Sequence, residues 1–182
     1  MTRNQMTSIK KATFNDVNLL ASLSVEAFLP AHGHSSPEKD INIYLEANFS
    51  VQNFKKEIAN PTFEYYLIYH HNKIAGFSKI IFNTPSAHIE GDTITKMERL
   101  YLLEEFYGLH LGTQLMNFNS ELTKKNNQQG IWLEVWIENF RAIKFYKKMG
   151  FTIVGKANFR VSETHSNPNY IMYLDHKTYS DE

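Results

Sequence analysis

The chain has 182 residues, 42% of them hydrophobic and 14% aromatic, and its 19 basic residues balance its 19 acidic ones. This length suits one compact domain with a filled core, and the composition excludes an intrinsically disordered chain. Zero net charge argues against nucleic acid or an anionic membrane as a partner. The absence of cysteine excludes disulfides, cysteine zinc ligands and cysteine nucleophiles.

The N-terminal third predicts a short strand followed by three helices. Residues 8–12 suit a strand, and apolar residues recur at helical spacing over residues 17–28. Ser36 and Pro37 indicate a second helix start, with the Ser36 hydroxyl as cap and the proline in the first turn. Ser50 is expected to cap a third helix.

Strands and helices alternate in the rest of the chain. His71-Asn72 separates two runs rich in aromatic and β-branched residues, which predicts a hairpin. The further predicted elements are strands at 94–103, 131–137, 151–154 and 170–174, a helix from Leu111 and a helix at 139–149. We therefore predict an α/β fold with a mixed, mostly antiparallel central sheet flanked by helices. It forms a single domain over residues 7–176, with flexible ends at 1–6 and 177–182.

Two absences bear on location. The first residues lack the apolar stretch of a signal peptide, and no window approaches the roughly 20 apolar residues of a membrane span. A cytoplasmic protein is expected.

The first chemical signal is a strand, a glycine-bearing turn and a helix in succession. Residues 98–102 end the strand, and residues 107–113 lead into the helix. Unpaired N–H groups and the positive end of the helix dipole would form a site for a phosphate or pyrophosphate. Gly108 and Gly112 could equally be turn residues only. The stretch has neither the Gly-Lys-Ser/Thr of a P-loop nor the glycines of a dinucleotide fingerprint.

A second motif follows, with the strand Trp-Leu-Glu-Val-Trp at 132–136, then Asn139, then Ala-Ile-Lys-Phe-Tyr-Lys-Lys-Met-Gly-Phe at 142–151. The succession resembles the GNAT superfamily of acyl-CoA-dependent N-acetyltransferases. Members have a Gln/Arg-x-x-Gly-x-Gly/Ala pyrophosphate loop, and later an Asn and an Ala-x-x-Phe-Tyr-x-x-x-Gly-Phe helix. Here Tyr107 stands where Gln or Arg is usual, His110 stands where the first glycine is usual, and Gly112 matches. The layout further resembles the bacterial polyamine (spermidine/spermine) acetyltransferases.

The resemblance implies acetyl-CoA as co-substrate and no metal. Backbone groups of Leu100, Tyr101 and Leu102 would pair with the pantetheine arm as an added strand does. Asn139 would cap its helix and touch the same arm, and Lys148 or Arg141 could reach a phosphate or simply be solvated. The loop residues expected to bracket the pyrophosphate are Tyr107, Gly108, Leu109, His110, Leu111, Gly112 and Thr113.

The resemblance also assigns catalytic roles. Tyr146 would be the general acid that protonates the CoA thiolate, and Glu98 a general base acting through a water. A base is needed because an amine with a pKa of about 10 costs about 4–5 kcal/mol to deprotonate at pH 7. The residues alone leave other interpretations open: Tyr146 as a core aromatic, Glu98 as an ion-paired carboxylate, and Glu134 as a competing base.

The expected reaction is direct transfer of acetyl from acetyl-CoA to a primary amine in a ternary complex, with a polyamine or diamine as acceptor. Glu38 and Asp40, between the first two helices, would suit such a polycation. The open alternatives are a protein N-terminal or lysine acetyltransferase, and a CoA-binding regulatory protein without turnover. A homodimer through the final strand is expected by family analogy. The histidine pairs at 32/34 and 70/71 are interpreted as loop and turn residues, not as a metal site.

Overall fold

The computed structural model describes residues 6–177, and seven strands within them form one sheet. In chain order the elements are β1 (Thr7–Lys11), α1 (Val17–His32), α2 (Glu38–Phe49), α3 (Val51–Ala59), β2 (Phe63–His70), β3 (Lys73–Ile81), β4 (Thr95–Leu102), α4 (Leu111–Lys125), β5 (Gly130–Trp136), α5 (Phe140–Lys148), β6 (Thr152–Arg160) and β7 (Ser166–Asp175). The strand order is β1-β2-β3-β4-β5-β7-β6. Five neighbouring pairs are antiparallel and β4–β5 is parallel, which confirms the predicted α/β fold with a mostly antiparallel sheet.

The helices cover both faces of the sheet. Consecutive strand residues point to opposite faces, and two neighbours on β3 show which helices lie where. The Phe77 ring meets the Tyr101 ring of β4, which in turn contacts Phe28 of α1. The next residue, Ser78, donates a hydrogen bond to Asn119 of α4 on the other face. Most buried apolar residues form one cluster that includes both faces, and Ile94, Trp132 and Ile171 form a second, smaller cluster.

Two local sequence patterns, the Ser50 cap and the His71-Asn72 turn, have the structures predicted for them. The Ser50 hydroxyl accepts a hydrogen bond from the amide of Asn53, at 3.2 Å, and so caps α3. His71 and Asn72 have φ angles of 47° and 63°, the left-handed conformation that a tight hairpin turn needs.

The Ser36 cap was wrong. Pro37 itself occupies the N-cap position of α2, and the Ser36 hydroxyl donates instead to the Asn167 side chain, 3.4 Å away. This bond ties the α1–α2 connection to the start of β7. A distant partner has therefore taken the hydroxyl that the local pattern assigned to the helix.

The last two strands are longer than predicted. They form a hairpin whose pairing extends to Arg160 opposite Ser166, through residues with weak strand preference such as Gly155 and Pro168. Pairing between strands outweighs the preference of single residues. The same pairing contradicts the expected dimer contact, because β7 lies between β5 and β6 and has no free edge.

Within residues 6–177, no helix is long and apolar enough to cross a membrane. The predicted flexible ends, 1–6 and 177–182, lie outside the described residues apart from Met6 and Lys177.

Candidate active site

The parallel strands β4 and β5 separate soon after they pair. Their register joins Thr95 to Ile131 and Lys96 to Trp132, but β4 continues to Leu102 and β5 to Trp136. Beyond Lys96, the edge of β4 that faces β5 therefore has no strand partner among the described residues. An exposed strand edge of this kind can bind an extended ligand through main-chain hydrogen bonds.

A β-bulge lies where the two strands part. On β3, Lys79 pairs with Arg99 and Ile80 with Met97, so Glu98 is an extra residue without a cross-strand partner. A bulge bends its strand and redirects side chains. The bulge helps to open the gap between β4 and β5 and brings the Glu98 carboxylate to the Lys79 ammonium and to within 4.0 Å of the Arg99 guanidinium.

A cavity of about 890 Å³ opens beside this gap, a size typical of small-molecule sites. Helices α1 and α2 wall one side of it, and strands β4 and β5, the start of α5 and the β6–β7 hairpin complete it. Of the predicted site residues, the cavity is lined by Glu98, Leu100, Tyr101, Leu102, Tyr107, Asn139 and Tyr146, and Glu134 and Arg141 line it as well. The predicted loop residues 108–113 and Lys148 do not line it, and Lys148 lies in a separate depression between α4 and α5.

The predicted anion loop leaves its amides unpaired. The first main-chain hydrogen bond of α4 runs from the Gln114 amide to the His110 carbonyl, at 3.1 Å. The amide N–H groups of residues 108–113 have no acceptor among the described residues. Gly108 has φ +80° with open space around its Cα, so the backbone conformation requires the glycine. His110 has φ +58°, a left-handed conformation that glycine adopts at less cost.

A cation lies next to this loop on an aromatic support. The Arg141 guanidinium stacks on the Tyr107 ring, with its central carbon 3.7 Å from the ring centroid. Arg141 makes no ion pair or hydrogen bond within the described part of the chain. Tyr107 thus holds a positive charge at the place where the family usually has a Gln or Arg side chain.

Carboxylates that line the cavity are paired with cations. The Lys79 ammonium, 3% exposed, contacts Glu98 and lies 3.1 Å from Glu57. Burial would raise the pKa of Glu98, but the charges of Lys79 and Arg99 outweigh it, and the net effect lowers that pKa. Glu134 lies 3.4 Å from the Lys96 ammonium. Sequence reasoning missed these cations because only the strand register brings them to the carboxylates.

Tyr146 is both a core aromatic and a cavity residue. Its ring packs between Phe145 and Phe151, it is 9% exposed, and it lines the cavity. Burial raises the pKa of its phenol, so the hydroxyl keeps its proton at neutral pH. The hydroxyl has no hydrogen-bond partner among residues 6–177 and is free to donate to a ligand.

The acidic acceptor pocket expected from Glu38 and Asp40 was wrong. Neither residue lines the cavity. Glu38 is exposed at the start of α2, and Asp40 is buried and accepts a hydrogen bond from the Thr164 hydroxyl, 3.4 Å away. The Asp40 carboxylate therefore links α2 to the β6–β7 connection, and neither carboxylate lines the cavity.

Histidines 32 and 34 lie beside Trp136, with ring centroids 6.3 and 5.4 Å from it. Burial, helped by the nearby His34 and Arg141, lowers the pKa of His32 to about 4 and keeps its imidazole neutral. In the described part of the chain, no three His, Asp or Glu residues are grouped so that they could hold a metal ion.

Comparison with known proteins agrees with this geometry. The family model described as "Acetyltransferase (GNAT) family" matches residues 25–151. An uncharacterized N-acetyltransferase of Mycobacterium tuberculosis (strain ATCC 25618 / H37Rv) is 27% identical over 157 residues, 86% of this chain and 96% of the relative.

Three solved structures share the fold. The PaiA N-acetyltransferase from Thermoplasma acidophilum, in complex with coenzyme A, has a TM-score of 0.74 at 20% identity, over 93% of this chain and 99% of that one. Arabidopsis thaliana NAA60 in complex with acetyl-CoA has a TM-score of 0.72 at 16% identity, over 94% and 99%. A chimera of the spermidine N-acetyltransferase SpeG from Vibrio cholerae and hSSAT has a TM-score of 0.70 at 16% identity, over 98% and 100%.

Proposed function

We propose that this protein acetylates a primary amine of a small diamine or polyamine. The chain belongs to the acetyltransferase (GNAT) family and is an acetyl-CoA-dependent N-acetyltransferase. One observation carries the proposal: an unpaired strand edge on β4 leads to six unpaired amides at the start of α4. An extended amide-containing arm that ends in a diphosphate is complementary to both. Acetyl-CoA has that form.

Binding of the cofactor would use groups already in place. The main chain of Leu100 to Leu102 pairs with the pantetheine arm, and Asn139 contacts the same arm from the start of α5. The amides of residues 108–113 hold the diphosphate, assisted by the α4 dipole. Arg141, positioned by Tyr107, adds the positive charge.

The chemistry is aminolysis of a thioester without an acetyl-enzyme. The neutral amine attacks the thioester carbonyl, a C–N bond forms, and the carbonyl electrons move to oxygen. Collapse of this adduct breaks the C–S bond, and the Tyr146 hydroxyl protonates the departing CoA thiolate. The adduct nitrogen loses its proton through a water to Glu98, and the phenol regains its proton from solvent.

Glu98 suits the late proton transfer better than deprotonation of the free ammonium. Its lowered pKa keeps it ionised near neutral pH, and the nitrogen of the adduct is far more acidic than the ammonium. Glu134 lies on β5 across the gap from β4, lines the same cavity and is paired with Lys96, so it stays the competing base. The pKa of Glu98 lies below its ordinary value and that of His32 is about 4, so neither group accounts for a rate that rises with pH near neutrality.

A second positive charge on the acceptor is supported at the rim of the cavity. Glu163 lines the cavity, is exposed, and has no ion-pair partner among the described residues. A carboxylate there can attract the distal ammonium of a diamine or polyamine. The fold shared with the SpeG chimera is consistent with a polyamine acceptor. The fold is also shared with NAA60, so the test below includes peptides as alternative acceptors.

The test follows release of free thiol from acetyl-CoA with spermidine, spermine, a diamine, a monoamine and peptides with free N-termini or lysines. We expect release with the polyamines and the diamine, and a Glu163→Gln variant with a higher KM for the diamine but an unchanged KM for the monoamine. Release with peptides alone would instead identify a protein acetyltransferase. Thermal stabilisation by CoA without any release would identify a binding protein without turnover.

A further inference from the structure

One side chain in the cavity has hydrogen-bonding capacity that the protein itself leaves unused. Asn169 lies on β7 opposite Trp136 of β5, is 6% exposed and lines the cavity. Its Oδ1 atom is buried without a hydrogen-bond partner, and within residues 6–177 this holds also for Ser24 Oγ and His70 Nδ1. Neither Ser24 nor His70 lines the cavity. Asn169 is therefore the one of these three whose side chain borders the cavity.

Several other polar side chains that line the cavity already have partners within the protein. Asn167, two residues earlier, donates to Ser35 at 3.0 Å and accepts from Ser36. The carboxylates of Glu57 and Glu98, which also line the cavity, are paired with Lys79. A buried acceptor without a partner costs free energy, and native proteins usually keep one for a reason. The unpaired amide thus marks a place where a ligand is expected to complete the hydrogen bonding.

We propose that Asn169 accepts a hydrogen bond from the acceptor amine and positions its nitrogen for attack, an inference that rests on the proposed function. An amine has N–H donors to give while its lone pair attacks the thioester. A neutral amide oxygen can hold the N–H without the effect of a carboxylate, which would raise the pKa of the amine and keep it as a non-nucleophilic ammonium. Rotation about the Cβ–Cγ bond lets the amide turn its oxygen toward the nitrogen.

Three variants test the inference with spermidine and acetyl-CoA as substrates. Asn169→Leu keeps the shape and removes the acceptor, and we expect the KM for spermidine to rise about ten- to hundredfold, with the KM for acetyl-CoA within about twofold of the wild type. Asn169→Asp restores an acceptor but adds charge, so the KM for spermidine should return to the wild-type value or below while kcat falls. Ser24→Ala removes an equally orphaned atom outside the cavity and should change neither KM.

Thermal denaturation of each variant separates a kinetic effect from misfolding. The inference is overturned if Asn169→Leu leaves the KM for spermidine within twofold, or if it raises both KM values alike. It is also overturned if Asn169→Asp fails to restore the KM while remaining folded. A wild-type protein that releases no thiol with any amine overturns the proposed function itself, which is a different result from an active wild type with an unaffected variant.

Discussion

Helices α4 and α5 begin beside each other, with Gly112 of α4 packed near Phe145 of α5, yet their N-termini are built in opposite ways. At α5, the Asn139 side chain accepts a hydrogen bond from the Ala142 amide, at 3.1 Å, and fills the helix end. At α4, His110 gives no side-chain cap, and the first amides point to no acceptor in the described residues.

The difference separates stability from binding. A capped helix end gains free energy in the folded protein, whereas an uncapped end keeps its donors for an anion. The left-handed His110 adds a cost of about 1 kcal/mol that no contact in the described structure offsets. The N-terminus of α4 is thus uncapped where the diphosphate is proposed to bind, whereas the N-terminus of α5, the helix that carries Tyr146, is capped.

The largest effect, a loss of kcat, is expected from a substitution on α5, the capped helix. Tyr146→Phe removes only the proton donor, so kcat should fall about 10²- to 10⁴-fold, while CoA affinity stays within about twofold because the ring still packs. Steady-state kinetics and calorimetric titration with CoA measure the two quantities. Tyr170→Phe, which removes a hydroxyl from β7 outside the cavity, is the matched control. An unchanged kcat in Tyr146→Phe would remove Tyr146 from the mechanism.

The second-largest effect is expected from a substitution that gives α4 a capping side chain like the one at the start of α5. His110→Asp places a carboxylate at the start of α4, where it should repel the diphosphate and weaken CoA binding about a hundredfold. His110→Gly is its control: it relieves the left-handed strain, so the free energy of unfolding should rise by about 1 kcal/mol with CoA binding retained. Denaturant unfolding and calorimetry measure both. Full CoA affinity in His110→Asp would show that the diphosphate binds elsewhere.

A smaller loss of CoA affinity is expected from a substitution of Arg141, which lies near the N-termini of both helices. Arg141→Gln keeps a planar group on Tyr107 but removes the charge, so the CoA dissociation constant should rise about tenfold and depend less on salt. Lys147→Gln removes an exposed charge from the same helix and should have no such effect. Equal behaviour of the two variants would show that the position of Arg141 on Tyr107 is irrelevant to binding.

The smallest effect is expected on the free energy of unfolding when a capping side chain is removed. Asn139→Ala should lower the free energy of unfolding by about 1 kcal/mol, as should Ser50→Ala at the start of α3. Only Asn139→Ala should also weaken CoA binding, because Ser50 does not line the cavity. Loss of CoA affinity in both variants would mean that general destabilisation explains the effect.

Local sequence signals predicted the framework of the site. The capping side chains of Ser50 and Asn139, the hairpin turn at His71-Asn72 and the helical spacing after Leu111 act over a few residues, so the sequence displays them directly. The motif at 139–151 likewise placed Tyr146, since helix and strand positions follow from spacing.

The chemistry that depends on register was not predictable. The bulge at Glu98, the buried Lys79 beneath it and the stacking of Arg141 on Tyr107 each join residues that lie far apart in the chain. Asn169 gave no signal, because an asparagine near a proline in a strand resembles a turn residue. The error over Asp40 has the same origin, since its partner Thr164 lies 124 positions away.

Asn167 donates to Ser35 and accepts from Ser36, and Thr164 donates to Asp40. These bonds join the segment from the α1–α2 connection into α2 to the segment from the β6–β7 connection into β7. The two segments therefore cannot diverge independently, because a substitution in one removes a partner from the other. A lineage that adapts to a new acceptor must alter both in concert, and libraries that randomise only one of them should recover few active clones.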